Sequence, residues 1–324
     1  MKLVKCIAFM AILVLCLGMV SAVEAAQPYP SKPIEYIVHS SAGGSSDTFT
    51  RTIANFLAQE KLVTVPITVM NRTGGGGAVA YKYVASRAGD PYTLLNIPST
   101  FITTPIIAPD CPNYEEFTLI ANLVLEPDVF VVNAKSEFHT IDDLINAAKT
   151  IEGGITFAIP SIGSYDHLAQ MLFAKAVGGK VVALPFSSDA EAMIAVLGDH
   201  AHVTSVAPRI IMPQVLAGEL RALAITSEGR YAPLPDVPTM KEQGIDLVIG
   251  TPRGVAAPKN IPEEARAFLT ETYKKLSETE SWKEVLQREY LMPLVLFGDD
   301  YVRFMKAESE RSQPLLEEAG LIQK

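Results

Sequence analysis

Two short stretches rich in serine and glycine have the composition of anion-binding loops. The first covers residues 39–47, His-Ser-Ser-Ala-Gly-Gly-Ser-Ser-Asp, which follow an apolar run and open a helix-like pattern. Glycine lets the backbone approach a ligand closely, and the free N–H groups at a helix start suit a carboxylate or a phosphate. Ser45, Ser46 and Asp47 are also ordinary helix-capping residues. The spacing alone therefore fits capping and ligand binding about equally.

The second stretch covers residues 160–167, Pro-Ser-Ile-Gly-Ser-Tyr-Asp-His, and again lies between a predicted strand and a predicted helix. Taken singly, Ser164 could simply cap that helix, and His167 could be a surface side chain. Open α/β sheets bind ligands at the carboxyl ends of their strands. Two such loops, one in each of two lobes, are therefore expected to face each other across a cleft.

An arginine in residues 250–254, Gly-Thr-Pro-Arg-Gly, is the third candidate. The planar guanidinium of Arg253 is the best single partner for a carboxylate, because it can donate two parallel hydrogen bonds. The competing interpretation is a hinge or surface arginine, which the spacing slightly favours. Arg209, which follows Pro208 after another predicted strand, has the same two interpretations.

Motifs for cofactors, metals and catalysis are absent from the sequence. Residues 71–80 formally contain a dinucleotide fingerprint, but no acidic residue stands about 20 positions later, where the ribose would need one. There is no G-x-S-x-G elbow, H-E-x-x-H, C-x-x-C or Walker loop. Asp199-His200-x-His202 matches no metal-site spacing. The sequence therefore predicts a protein that is not an enzyme and that has no cofactor and no metal site.

Apolar runs and helical spacing alternate along the chain. Strands are predicted at Ile34–His39, Pro66–Met70 and Tyr92–Ile97, with helices at Asp47–Glu60 and Ala78–Ser86 between them. This order implies right-handed crossovers and a parallel sheet with helices on its faces.

The same alternation restarts in residues 129–226, where five strands and four helices are predicted. Leu247–Val255 is predicted to be an extended return to the first unit. Amphipathic helices follow at Pro262–Lys275, Ser281–Arg288 and Asp299–Gly320. The fold class is therefore α/β with two lobes, each built on a mainly parallel sheet flanked by helices.

The N-terminus has the order of a secretory signal peptide. Lys2 and Lys5 give a basic start, Ile7–Val20 is an apolar run too short to anchor a membrane span, and small residues follow. We expect cleavage after Ala25 and a periplasmic protein. Cys16 raises the alternative of a lipid anchor, but a leucine precedes it where a small residue is required.

Charge and cysteine content limit the partners of the mature chain. The formal charge is −9, and the first 25 residues carry two lysines and one glutamate, so their removal leaves −10. This balance argues against nucleic acid and anionic membranes as partners. Only Cys111 remains after cleavage, so the mature chain can form no internal disulfide.

Seven motifs in order resemble the substrate-binding receptors of tripartite tricarboxylate transporters, the Bug receptors. The resemblance covers essentially the whole mature chain. The motifs are Tyr29–Ile34, Ala42-Gly43-Gly44 with Asp47, Asn71-Arg72-x-Gly74, Asp90–Leu95, Gly163-Ser164-x-x-His167-Leu168, Leu216–Ala224 and Leu234–Thr239.

The resemblance implies a two-lobed receptor with a periplasmic-binding-protein-like fold, which closes about two hinge crossings on a small organic carboxylate and delivers it to membrane permease subunits. Lobe 1 would comprise residues 27–130 and 252–324, and lobe 2 residues 131–251, in a monomer. The residues carried over as ligand-binding are Ser40, Ser41, Ala42, Gly43, Gly44, Ser45, Asp47, Ser161, Gly163, Ser164, His167, Thr251 and Arg253.

Several positions depart from the family pattern. His39 and Ser40 stand where a proline and an aromatic residue are common, Ala207 where an asparagine is frequent, and Pro252 where an aromatic residue is frequent. More serine and less aromatic surface favours a polar ligand. Two other functions remain open: a sensor subunit that presents its ligand to a membrane histidine kinase, and an exported hydrolase using a serine of residues 161–164.

Overall fold

The computed structural model describes residues 28–160, 162–186 and 188–322. The predicted signal peptide lies outside the described residues, and its cleavage stays a prediction. Among the helices in the described ranges, none is long and apolar enough to cross a lipid bilayer.

Six strands form the first sheet: β1 (Ile34–Val38), β2 (Ile67–Asn71), β3 (Thr93–Ile97), β4 (Phe117–Pro127), β10 (Gly250–Pro258) and β11 (Met292–Phe297). Their spatial order is β11-β4-β10-β3-β1-β2. The strands β1, β2 and β3 are parallel, whereas β10 runs antiparallel to both β3 and β4, and β11 antiparallel to β4.

Five strands form the second sheet: β5 (Val129–Asn133), β6 (Ile155–Ile159), β7 (Val181–Pro185), β8 (Val203–Val206) and β9 (Leu220–Ile225). Their order is β7-β6-β8-β5-β9. The pairs of β6 with β7 and β8 are parallel, and the pairs of β5 with β8 and β9 are antiparallel.

Ten helices flank the two sheets: α1 (Ser45–Gln59), α2 (Ala78–Ala85), α3 (Thr100–Ile107), α4 (Ile141–Thr150), α5 (Tyr165–Val177), α6 (Asp189–Leu197), α7 (Pro208–Leu216), α8 (Glu263–Glu278), α9 (Glu280–Arg288) and α10 (Gly298–Glu318). Short 3₁₀ turns at Gly75–Gly77, Tyr114–Glu116 and Lys241–Gln243 complete the described elements. The helix α1 is amphipathic, because Phe49, Ile53 and Leu57 lie on one face and that face is buried.

The two-lobed α/β class predicted from the sequence is confirmed, but neither sheet is mainly parallel. The sequence did not predict β4, β11 or α3, and these elements fall in the stretches left unassigned. In the first sheet β4 and β10 pair antiparallel along their lengths, with Gly250 opposite Pro127, and in the second sheet β5 is antiparallel to both of its neighbours. The lobe boundaries at residues 130/131 and 251/252 stay a prediction.

The strand pair β4–β10 also connects the two sheets. Only Asp128 separates the end of β4 from the start of β5, so the chain passes from one sheet to the other almost without a loop. Thr251 lies opposite Glu126, and Arg253 is two residues further along β10. Alternate residues of a strand point to the same face, so Glu126 and Arg253 are diagonal neighbours on one side of this ribbon.

Gly254 lets the helix α10 pack against this ribbon. A Cβ atom at this position would lie 2.7 Å from the Ala121 carbonyl oxygen and still closer to the buried Tyr301 hydroxyl. We expect Gly254→Ala to lower the free energy of unfolding by about 1–3 kcal/mol, because a buried neighbour would have to move.

Gly229→Ala is the matched control, since a Cβ there meets nothing within 4 Å and its backbone is not left-handed. Urea unfolding of both variants measures the difference, and equal effects would contradict the clash.

Candidate functional site

The helices α1 and α5 begin with nearly identical backbone geometry. Gly44, which caps α1, has φ −71° and ψ 169°, and Ser164, which caps α5, has φ −70° and ψ 167°. The residue before each cap is a glycine in the left-handed region, Gly43 at φ +80° and Gly163 at φ +79°. A non-glycine residue is strained there, so the two Ser/Gly loops are local copies of one structural solution.

The backbone N–H of each of these glycines donates a hydrogen bond to the side chain four residues later in the chain. The Gly43 N–H donates to Asp47 Oδ2 at 2.8 Å, and the Gly163 N–H donates to His167 Nδ1 at 3.0 Å. Asn71 Nδ2 ties the first loop further, because it donates to Asp47 Oδ1 at 2.9 Å and to the Ser40 carbonyl at 2.8 Å. Asp47 and His167 therefore shape the loops from within.

The charge states of both residues fit this supporting role. Burial would raise the pKa of Asp47, but hydrogen bonds from Arg51, the Gly43 amide and Asn71 lower it to about 2. Burial lowers the pKa of His167, which keeps its ring neutral and able to accept the hydrogen bond from Gly163.

A cavity of about 140 Å³ lies between the two lobes. Drug-sized ligands occupy pockets of roughly 300–1,000 Å³, so this cavity suits a small solute. The first lobe contributes His39, Ser45, Ser46, Pro98, Ser99 and Thr100, the crossing strands contribute Glu126, Asp128, Thr251 and Arg253, and the second lobe contributes Asp166, Asp189, Ala207 and Arg209.

Three of the predicted ligand-binding residues line this cavity, namely Ser45, Thr251 and Arg253. Other predicted residues form the two loops without lining it: Ser40, Ser41, Ala42, Gly43, Gly44, Asp47, Gly163, Ser164 and His167. Ser161 lies outside the described residues. Ligand contact by any of these residues stays a prediction.

Two arginines hold Glu126 at the centre of the cavity wall. Arg209 Nε donates to Glu126 Oε1 at 2.7 Å, and Arg253 Nε donates to Glu126 Oε2 at 2.6 Å. Arg253 also donates to Ser45 Oγ at 2.7 Å and to Ser46 Oγ at 2.9 Å, and Arg209 donates to Ser45 Oγ. This Arg209–Glu126–Arg253 cluster therefore joins the second lobe, both crossing strands and the start of α1.

The cluster carries a net charge of +1. Glu126 is only 2% exposed and Arg253 only 7%. Burial would raise the pKa of Glu126, but the charges of Arg253 and Arg209 lower it, so the carboxylate is ionised. A buried carboxylate is stable only when it is paired and hydrogen-bonded, and here both oxygens are. One unit of positive charge remains beside the Ser45 and Ser46 hydroxyls.

Three further carboxyl groups line the cavity. Asp128 connects β4 to β5, Asp166 is the second residue of α5, and Asp189 is the first residue of α6. Burial, and then the Asp189 carboxyl, raise the pKa of Asp166 to about 7. Burial likewise raises the pKa of Asp128 and of Asp189. The three carboxyl groups also disfavour each other's ionisation, because like charges repel.

Sequence reasoning missed most of these charged residues. A signal was present in Glu126-Pro127-Asp128, where two acidic residues interrupt a long apolar run. Charged residues are rarely fully buried unless they are paired or functional, so acids inside such a run point to a site. Asp166 and Asp189 gave no comparable signal, since acidic residues in the first turn of a helix are ordinary.

Two α/β lobes with a charged cavity between them form the architecture of a solute-binding protein. A family model described as "Tripartite tricarboxylate transporter family receptor" matches residues 50–321. The chain belongs to this family, and the predicted relationship to the Bug receptors is confirmed.

Relatives and solved structures agree with this assignment. The chain is 28% identical over 328 residues to protein BugT of Bordetella pertussis, with 99% of each chain covered. It resembles a TctC solute-binding protein from Polaromonas (TM-score 0.78, 29% identity, 90% of this chain and 99% of that chain). It also resembles Rpa4515 of R. palustris, solved with adipate (TM-score 0.79, 25% identity, 90% and 98% covered).

The raised pKa of Asp166 makes stability depend on pH. An unfolded aspartate ionises near pH 4, whereas Asp166 in the folded state keeps its proton to about pH 7. The folded state thus binds more protons between these values, and this group's contribution to stability is lost as the pH rises through that window.

We expect Asp166→Asn to make the decline in unfolding free energy between pH 4 and 7 shallower, and to stabilise the unliganded protein at pH 8 by about 1–3 kcal/mol. Denaturant unfolding at a series of pH values measures the free energy of unfolding, and Asp246→Asn, at an exposed residue, is the control. Parallel pH profiles of the wild type and Asp166→Asn would contradict the raised pKa.

Proposed function

We propose that this chain is the exported receptor of a tripartite tricarboxylate-type transporter, which binds a small organic carboxylate between its lobes and presents it to membrane permease subunits. Family membership supports the transporter type. The net positive Arg209–Glu126–Arg253 cluster beside Ser45 and Ser46 is the observation that carries the carboxylate assignment.

Three sets of donors converge on one end of the cavity. The guanidinium groups of Arg209 and Arg253 lie there together with the hydroxyl groups of Ser45 and Ser46. Ser45 and Ser46 are also the first two residues of α1, whose initial N–H groups have no carbonyl partner within the helix. A carboxylate placed there would meet charge, hydroxyl groups and a helix start at once.

Binding with closure, and not covalent chemistry, is the proposed action. The matching family is described as a receptor family, the Polaromonas protein is named a solute-binding protein, and Rpa4515 was solved with adipate, a dicarboxylate. We extend the carboxylate class to this chain. We further propose that the mature receptor is a periplasmic monomer that starts after Ala25.

The cluster predicts which substitution weakens binding. We expect Arg209→Gln to weaken the best-bound organic acid by about 10–100-fold, because a charge-assisted hydrogen bond is lost while Arg253 still pairs with Glu126. Calorimetry over a panel of mono-, di- and tricarboxylates measures this effect.

Arg303→Gln, at a side chain that is 70% exposed, is the matched control and should leave the affinity unchanged. Unfolding midpoints must be similar in both variants. A wild-type protein that none of the acids stabilises would overturn the proposed function.

Export is tested on the protein itself. We expect the mature periplasmic form to lack residues 1–25 and to carry one alkylatable thiol after denaturation, at the buried Cys111. Intact mass before and after alkylation measures both. A retained N-terminus or a lipid on Cys16 would contradict the soluble receptor.

A further inference from the structure

Two sets of charged groups line the cavity between the lobes. One is the Arg209–Glu126–Arg253 cluster with its net charge of +1. The other consists of the carboxyl groups of Asp128, Asp166 and Asp189. A ligand that carried only carboxylates would match the first set and would be repelled by the ionised forms of the second.

None of the three aspartates forms an ion pair within the described ranges. The charges of Arg209 and Arg253 act on Asp189, whereas no cation acts comparably on Asp128 or Asp166. Asp128 accepts a hydrogen bond from Ser205 Oγ at 3.2 Å, and Asp166 accepts bonds from Ser164 and from its own backbone N–H. Both nearby guanidinium groups are already bound to Glu126.

The remaining basic group of the cavity adds no positive charge. His39 lines the cavity in the first lobe, but burial, and then the charge of Arg253, lower its pKa to about 4. The ring is therefore neutral at physiological pH. His39 therefore supplies no positive charge to the aspartates, and an ammonium group on the ligand would favour their ionised forms.

A metal ion does not meet this requirement. Among the described residues, no group of three His, Cys, Asp or Glu side chains could hold a metal ion. An ammonium group fits better, because it donates three hydrogen bonds in separate directions and does not need ligands at a fixed short distance.

The two helix starts set the orientation of the ligand. The second residue of each helix lines the cavity, and this residue is Ser46 in α1 but Asp166 in α5. The carboxyl group of Asp166 occupies the start of its own helix, where an anionic ligand would otherwise bind. The start of α5 is therefore occupied by its own side chain, whereas the starts of α1 and α7 have no side-chain cap and line the cavity with Ser45, Ala207 and Arg209.

We propose that the ligand is a small amino carboxylate, whose carboxylate binds at Ser45, Ser46 and the two arginines and whose ammonium group binds between Asp128, Asp166 and Asp189. This inference rests on the proposed function and specifies the ligand class of the same cavity. It predicts that simple di- and tricarboxylates bind less tightly than an amino acid of similar size.

Matched pairs of compounds test the proposal. Calorimetry compares acetate with glycine, propanoate with L-alanine, succinate with L-aspartate, glutarate with L-glutamate, and butanoate with 4-aminobutanoate. We expect at least one amino acid to bind about 10-fold or more tightly than its partner without the amino group. Asp166→Asn should remove most of this preference without weakening the partner, whereas the exposed Asp246→Asn should retain it.

Proton exchange gives an independent readout. An ammonium group would favour the ionised aspartates, so binding at pH 7 should release up to about one proton, seen as a dependence of the binding enthalpy on the buffer. The release should shrink in Asp166→Asn. The charged groups that act on Asp166 are Asp128, Asp189 and Glu126, and the charges of Arg209 and Arg253 act in turn on Glu126 and Asp189.

The outcomes separate the two proposals. If a compound without the amino group binds as tightly as its amino partner, or binds with proton uptake, the aspartates act as neutral donors to an anion. The proposal of an amino carboxylate ligand is then wrong, and the proposed function stands. If only diamines such as 1,4-diaminobutane bind, both proposals fail. Asp189→Asn replaces Asp166→Asn in the same comparison if the latter does not fold.

Discussion

The pairing of Glu126 with Arg209 and Arg253 is the constraint around which the two lobes are arranged. Each partner comes from a different part of the chain: the end of β4, the start of α7 and the middle of β10. A buried carboxylate left with no cation would cost several kcal/mol, so these three elements have to meet. Because β4 and β10 are also the strands that connect the sheets, the charged cluster and the crossing between the lobes occupy the same place.

The helix starts show how one local structure can serve two chemical purposes. Gly43 and Gly163 adopt the same left-handed turn, and Asp47 and His167 hold these turns through equivalent hydrogen bonds. The two helices differ at their second residue, which lines the cavity and is Ser46 in α1 but Asp166 in α5. A single side chain thus reverses the electrostatic character of a helix start while its backbone stays the same.

Local patterns in the sequence predicted the alternation of strands and helices, both Ser/Gly loops and the family. They did not predict β4, because its apolar stretch continues into that of β5 with only Glu126-Pro127-Asp128 between them. The charged cavity escaped prediction for another reason. Residues 126, 166, 189 and 209 are far apart in the chain, and only the mixed sheet order brings them together. Hydrophobic spacing carries no information about such convergence.

The position of the sole tryptophan determines what optical spectroscopy can detect in this receptor. Trp282 is fully buried in the core of the first lobe, where its ring meets the edge of Phe49 at a centroid distance of 6.1 Å. Phe49 belongs to the buried face of α1, whose first residues line the cavity, but the indole itself lies behind that helix. Its emission therefore monitors the integrity of one lobe, and an optically silent titration would be compatible with a fully occupied cleft.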